Sequence, residues 1–557
     1  MKKMLLHLLE PKLITFLKKN SYHKSHFMQD SLSGLSVAIV ALPLAMAIAI
    51  ASNLPPDKGL FTAIIAGFLI SALGGSRFQI GGPTAAFIVT VVFVVSKHGY
   101  DGLVLATIMA GFLLIIASFL RAGELIKFIP YPVITGFTSG IALLILFSQL
   151  RDFFGLEIET MPPDFIDKLI LYIQNLHSLN IFSVAVASVS IWIIFYTKKH
   201  HPKIPGPIVV VLLTGLVVWL FDIPVDTIES RFGSIASMLP TPSFPIVTFE
   251  KIRLLFPDAV TIAILAGIES LLSAVVADGM TDTKHKSNTE LLAQGVANIG
   301  SSIFGGLPAT GAIARTATNI KAGAISPVSG IMHAIWLLLF MVLLAPLIVK
   351  IPLAALSAIL IVVAWNMSEI QHIRLILGAP KNDIFILIVT FMLTVLVDLN
   401  FAIQAGISLS ALLFIHTMMQ STKIHSIDDE EETDDPDAIT RKIVPHHAEV
   451  YEIKGPLFFG ITEKLIDVLT NLETPPKAFI LRLRYVPMID AAGLHTLEII
   501  HKKLHDNGGV LILSGVNKSV STYIQKSRLN TVIGEENILE HIDKALARAN
   551  AIVHTGS

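Results

Sequence analysis

Long apolar stretches restrict this chain more than any other feature. Runs such as Ser33–Ala51, Gly102–Leu120 and Ile331–Val349 are predominantly apolar, and ~17–25 such residues let a helix cross a ~30 Å hydrocarbon core. Hydrocarbon offers no water to backbone N–H and C=O groups, so only helices and closed barrels can span it. The alternating pattern of a barrel strand is absent. Composition agrees, since 15 % of the 557 residues are charged against about 25 % in a typical soluble chain. The chain reads as a polytopic α-helical membrane protein.

About fourteen hydrophobic segments can be marked, near 33–52, 59–74, 84–96, 102–120, 131–149, 181–197, 207–221, 257–277, 288–304, 310–322, 327–348, 352–366, 383–398 and 401–419. The third and tenth are too short to cross alone. Residues 1–30 are basic, carry no cleavable signal, and read as a cytoplasmic lead-in. With that side inside, the inner loops Arg121–Lys127, Lys198–Lys203, Lys284–Lys286 and Arg374–Lys381 are all basic, while Asp222–Glu250 carries only Arg231. Basic inner loops are the expected bias. An even number of spans places both termini in the cytoplasm of a multi-pass protein of the cell (inner) membrane.

The membrane part is assigned to residues 31–420. The run "DDEEETDDPD" (Asp428–Asp437) marks a solvated acidic linker, 421–441. Residues 442–553 alternate short strands (Ala448–Lys454, Ala478–Arg482, Gly509–Ser514) with helical patterns (Gly493–Asp506, Ile538–Ala549) and read as a soluble α/β domain.

The membrane part repeats itself. "IGGPTAAFIVT" (Ile80–Thr90) and "FGGLPATGAIART" (Phe304–Thr316) share a glycine pair, a proline, small residues and a threonine. "AGFLISALGGSR" precedes the first and "QGVANIGSSIFGG" the second; Pro130 follows Pro83 by 47 residues and Pro352 follows Pro308 by 44. Two halves of seven segments each follow, and an odd number makes the second half inverted. Glycine and proline break a helix, so inversion brings two half-helix N-termini together near the midplane. Each offers unpaired N–H groups and roughly +0.5 of a charge, which together make an anion site. The candidate binding residues are Gly82, Pro83, Thr84, Ala85 and Ala86 from one motif, and Ala309, Thr310, Gly311, Ala312 and Arg315 from the other. The small residues allow close approach, and the two threonines are donors or helix caps. Arg315 either lends positive potential to the cavity or pairs with Glu269.

Glu269 lies mid-segment in the eighth span, where a carboxylate costs roughly 2.5–3.5 kcal/mol on insertion scales. With Ser273, four residues on and on the same helix face, it is the candidate ion-coupling pair, able to hold a proton or help coordinate a cation. Asp258 and Asp398 are expected to face the interface, and His333 to be a satisfied packing histidine. No phosphate loop, zinc-protease motif, dinucleotide fingerprint or Ser-His-Asp arrangement is present, so no enzyme activity, no cofactor and no nucleic-acid partner are expected. The absence of cysteine excludes disulfides and thiolate metal sites.

The stretch "AGIESLLSAVVADGMTDTKHKSNTELLAQGVANIGSSIFGGLPATGAIARTATN" (Ala266–Asn319) resembles the SulP anion transporters, relatives of the animal sulfate/chloride/bicarbonate exchangers. "VPMIDAAGLHTLE" (Val486–Glu498) resembles a STAS domain. The resemblance implies a fold of two inverted seven-segment repeats shared with uracil permeases, with core and gate subdomains and elevator-like alternating access. It implies an anion between Gly82–Ala86 and Ala309–Ala312, and a homodimer. A glutamate at position 269 implies proton coupling, whereas an aspartate there is linked to sodium. In the STAS loop Asp490-Ala491-Ala492-Gly493, Ala492 occupies the place where phosphorylated relatives carry a hydroxyl. A docking or dimerisation module with a cytoplasmic partner is then implied. The expected function is secondary active transport of sulfate, bicarbonate or a dicarboxylate across a lipid bilayer by proton symport. The alternatives are a sodium-coupled symporter with Na+ near Glu269, an uncoupled exchanger or channel, and a membrane-anchored signalling scaffold.

Overall fold

The computed structural model describes residues 10–19, 22–124, 130–158, 161–162, 164–201, 204–397, 399–426, 437–438, 441–470, 472 and 474–555. Lys127 and Lys203 of the basic loops, Asp398, and residues 428–436 of the acidic run lie outside them. The chain divides into two compact units, Met1–Ser410 and Ala411–Ser557.

Every expected segment is a helix. In the first half these are Lys24–Ala51, Pro56–Leu73, Phe87–Phe119, Tyr131–Ser148, Ile181–His200 and Gly206–Phe221. Phe87–Phe119 holds the third and fourth segments, because Gly99 turns the chain with φ +69 between 87–98 and 100–119. The second half gives Phe249–Thr281, Ser287–Ile303, Ile313–Lys321, Val328–Ile348, Leu353–Met367, Lys381–Leu396 and Leu399–Ser421. Among the described residues, nine helices are long and apolar enough to cross a bilayer. Leu212, Trp219 and Phe221 on Gly206–Phe221 are 66 %, 63 % and 74 % exposed. Such a patch suits lipid rather than water.

Packing between helices shows the inversion. Lys24–Ala51 packs on Val328–Ile348, and its repeat mate Phe249–Thr281 packs on the mate of that helix, within Phe87–Phe119. Likewise Pro56–Leu73 meets Val328–Ile348, as Ser287–Ile303 meets Phe87–Phe119. Tyr131–Ser148 pairs with Lys381–Leu396, and Leu353–Met367 with Ile181–His200. Each contact therefore has its symmetry counterpart. The Phe87–Phe119 and Ser287–Ile303 helices cross glycine on glycine: a Cβ on Gly111 would lie 2.6 Å from the Gly295 carbonyl oxygen, and a Cβ on Gly295 equally close to that of Gly111. Small residues at such crossings let backbones approach, the usual basis of packing in lipid.

The second unit is a five-stranded sheet in the order β3 (Lys423–Ser426), β4 (Ala448–Lys454), β5 (Ala478–Tyr485), β6 (Val510–Ser514), β7 (Ile538–Leu539). Strand β3 runs antiparallel to β4 and all other pairs are parallel. Alternate residues of β5 serve opposite faces: Phe479, Leu481 and Leu483 join one apolar cluster, while Ala478 and Ile480 join the other with Ile542, Ala545 and Ala549. Two local expectations change. The helix expected from Ile538 begins at Ile542, because Ile538–Leu539 pairs with β6 as an edge strand. Lys423–Ser426, within the stretch read as acidic linker, is a strand.

Gly295→Ala should therefore destabilise the membrane unit by forcing the crossing apart. Gly279→Ala, where nothing lies within 4 Å, should be neutral or stabilising by up to ~1 kcal/mol from helix propensity. Thermal unfolding in detergent compares the two; equal melting temperatures would reject the tight crossing.

Candidate functional site

Glycine and proline interrupt the helical ladder at both motifs, and the freed backbone groups find each other. Gly81–Gly82 (β1) and Thr310–Gly311 (β2) form an antiparallel pair, with Gly81 opposite Gly311 and Gly82 opposite Thr310. The Ala312 N–H donates to the Ile80 carbonyl at 2.8 Å. Each strand feeds a helix, starting at Phe87 and at Ile313. Because the strands are antiparallel, the helices leave in opposite directions from one place. Both caps are alanines, Ala86 and Ala312, with no side-chain cap hydrogen bond. Pro83, Ala85, Ala309 and Ala312 are buried around this junction.

The threonines are not caps. Thr84 Oγ1 donates to Glu269 Oε2 at 2.8 Å, and Thr310 Oγ1 donates to the Ala266 carbonyl at 2.8 Å. One turn of the Phe249–Thr281 helix thus holds both motifs. Arg315, 2 % exposed, donates from Nη2 to the Pro83 carbonyl. Its Nε and Nη1 have no hydrogen-bond partner, and it makes no ion pair with Glu269 among the described residues. A Cβ on Gly82 would lie 2.5 Å from Nη1, and Gly82 has φ +146, so glycine is required there twice over. Ser273 shares the helix face of Glu269 but not its contacts. Its hydroxyl donates to Thr316 Oγ1 at 3.2 Å, which accepts the Ile80 N–H at 3.1 Å.

Several buried polar residues missed in the sequence hold the junction. Asn298 clamps Ala309, donating to its carbonyl and accepting its N–H, both at 2.8 Å. Glu290 accepts the N–H groups of Gly75 and Ser76 at 2.8 and 3.0 Å, and the amide of Gln294 at 2.9 Å. Thr62 accepts the Leu307 N–H at 2.6 Å, and Gln79 donates to Ser270 at 2.7 Å. The signal was legible: Glu290, Gln294 and Asn298 recur every four residues along one face of an otherwise apolar segment.

Two other expectations fail. Asp258 does not face an interface; Pro257 lies within a longer helix, Phe249–Thr281, so Asp258 is buried, 3.6 Å from His98 Nε2. His333 is buried as expected, yet among the described residues neither ring nitrogen has a hydrogen-bond partner. Among the described residues, no group of three or more His, Asp or Glu side chains is arranged to hold a metal ion. In the second unit Asp490 caps the Ala491–Asp506 helix, accepting the N–H groups of Gly493 at 2.8 Å and Phe459 at 3.1 Å. Gly493 admits the Leu457 carbonyl, 2.7 Å from where a Cβ would be. Ala492, in the first turn, presents only a methyl group.

The Sulfate permease family model matches residues 27–390, most of the chain, and the STAS domain model matches 439–546. The chain belongs to the sulfate permease family. Within this family it is 39 % identical over 525 residues to the putative sulfate transporter YvdB of Bacillus subtilis, spanning 94 % of this chain and 98 % of that protein. It is 29 % identical over 552 residues to the bicarbonate transporter BicA of Picosynechococcus, spanning 95 % and 96 %. The solved transmembrane domain of a cyanobacterium bicarbonate transporter BicA superposes with a TM-score of 0.62 at 28 % identity, covering 70 % of this chain and 99 % of that one. The murine Solute Carrier 26 family member A9 anion transporter, in the inward-facing state, shares the fold: TM-score 0.87 at 20 % identity, over 99 % and 95 % of the chains. This sulfate permease family protein is a multi-pass membrane anion transporter with a STAS domain.

Replacing Asn298 by the near-isosteric Leu leaves the N–H and carbonyl of Ala309 unpaired in a buried site, at about 1–3 kcal/mol for each group. Asn298→Leu should lower the melting temperature in detergent by several degrees and weaken anion binding. An unchanged melting temperature would show that the clamp carries no load.

Proposed function

We propose that this protein is a proton-coupled symporter of a small anion (sulfate, bicarbonate or a dicarboxylate) and that the anion binds at the β1–β2 junction. The observation that carries the reading is the hydrogen bond from Thr84 to Glu269. It joins an ionisable side chain at membrane depth to the motif that starts a half-helix. Helix N-termini at Phe87 and Ile313 favour negative charge, Arg315 adds a cation, and Ala85, Ala86 and Ala312 allow close approach. Glu269 carries the proton; a cation near it is the sodium-coupled alternative. The relatives named as sulfate and as bicarbonate transporters support either substrate.

The site belongs to a core of the segments 24–119 and 249–348, which moves against a gate of 131–221 and 353–421 in elevator-like alternating access. The packing groups support this division. Both termini are cytoplasmic, in the cell's inner membrane. The transport domain occupies 31–420 and the STAS domain 442–553, where Ala492 removes any phospho-switch and leaves a docking or dimerisation surface for a cytoplasmic partner or a second copy.

Purified protein in liposomes should accumulate labelled sulfate, bicarbonate, oxalate, fumarate or succinate when an inward proton gradient is imposed. Glu269→Gln should leave anion binding but abolish the gradient's effect. Ala85→Leu and Ala312→Leu should each abolish anion-induced thermal stabilisation in folded protein. Accumulation driven by sodium alone would reject proton coupling, and binding that survives both leucines would place the site elsewhere.

A further inference from the structure

A second cavity lies outside the motif junction. It measures about 470 Å³ and is lined by Ile88 and Val92 of the half-helix, by Ile50 at the end of the first span, and by Ser148, Arg151, Asp152, Lys168 and Arg231. None of residues 82–86 or 309–315 lines it. Arg231 is neutralised, with Nη1 2.6 Å from Asp152 Oδ1 and Nη2 2.9 Å from Asp226 Oδ2.

The other two cations are not. Lys168 is 6 % exposed, and Arg151 has a buried Nε without a partner. Neither side chain makes a hydrogen bond or ion pair among the described residues. Asp164, one turn earlier on the helix of Lys168, attracts it only through space, as Asp152 and Asp226, both held by Arg231, attract Arg151. Burial pushes the Lys168 ammonium down from its usual range, the mark of a charge short of water. Desolvated cations without a carboxylate in contact are costly, and an anion in the cavity offsets that cost. At about 30 Å³ of liquid volume per water, the space takes an oxyanion with several waters.

We propose that this cavity is a second binding site for small oxyanions, held by Arg151 and Lys168, where the transported anion gathers before it reaches the motif junction. This rests on the reading of the protein as an anion transporter, but the site can be tested without transport. The chain has no cysteine, so Ser148→Cys gives a single thiol in the cavity of the full-length, detergent-purified protein. 2-Sulfonatoethyl methanethiosulfonate should modify it about tenfold faster than the 2-(trimethylammonium)ethyl analogue, the low end of the gain expected of a cleft whose lining carries mostly one sign of charge. Added sulfate or bicarbonate should slow the reaction. Raising the ionic strength should shrink the preference, and Arg151→Gln with Lys168→Gln should remove both preference and protection. In liposomes the double variant should raise the apparent KM for uptake without changing kcat. Equal rates with the two reagents, or anion protection that persists in the double variant, overturns the site. If the double variant does not fold, loss of the preference with salt in the Ser148→Cys protein still decides: a preference insensitive to salt overturns it. Failure of uptake alone would count against transport and leave the site standing.

Discussion

The antiparallel pairing of Gly81–Gly82 with Thr310–Gly311 is the contact on which the rest of the membrane unit depends. A helix broken inside hydrocarbon strands backbone donors and acceptors, at several kcal/mol for each group left unpaired. Two breaks that meet satisfy each other. That requires backbones with little side chain between them: a Cβ on Gly81 would sit 2.1 Å from the end of Ile70, and one on Gly311 would overlap the Gln79 amide. Once paired, the strands direct two short helices away from one point, so the positive ends of both dipoles meet where neither is capped by a side chain.

Around this pair the polar chemistry is arranged in layers. Asn298, Glu290 and Thr62 hold backbone around the junction, and Gln79 donates to the Ser270 hydroxyl. The Phe249–Thr281 helix takes hydroxyls from both motifs at Ala266 and Glu269, and Arg315 reaches back from the second motif to the carbonyl of Pro83 in the first. The motifs are consequently tied three ways, by backbone, by a shared helix and by a buried guanidinium. A displacement of one carries the other with it. The polar groups responsible lie in helices that pack together in symmetric pairs.

Much of this was legible in the residues. The fourteen apolar segments, the inverted repeat and the convergence of the two motifs follow from segment length, an odd repeat and helix-breaking residues. Thr84 and Arg315 were singled out as motif residues and Glu269 as a mid-span carboxylate from type and position, but not their meeting in one cluster. What the residues left open or misplaced has a physical reason. Thr84 and Thr310 could be donors or caps, since threonine commonly caps; a carboxylate and a carbonyl on a crossing helix take both hydroxyls as donors. Ser273 shares a face with Glu269, yet a neighbouring element supplies its partner, Thr316. Asp258 appeared terminal because the apolar segment begins near 257, whereas the helix starts at Phe249 and runs through Pro257.

The sequence by itself determined that the chain spans a membrane many times, that it is built from two inverted halves, and that a soluble α/β domain follows. Each of these depends on composition and period, which a linear chain carries. Only the tertiary structure decided that the glycine pairs form a strand pair, that Thr84 meets Glu269, that Arg315 binds a carbonyl rather than a carboxylate, and that Arg151 and Lys168 share a cavity whose carboxylate, Asp152, is taken by Arg231. Those outcomes depend on which residues far apart in sequence compete for the same donor or acceptor, and only the folded backbone sets those distances.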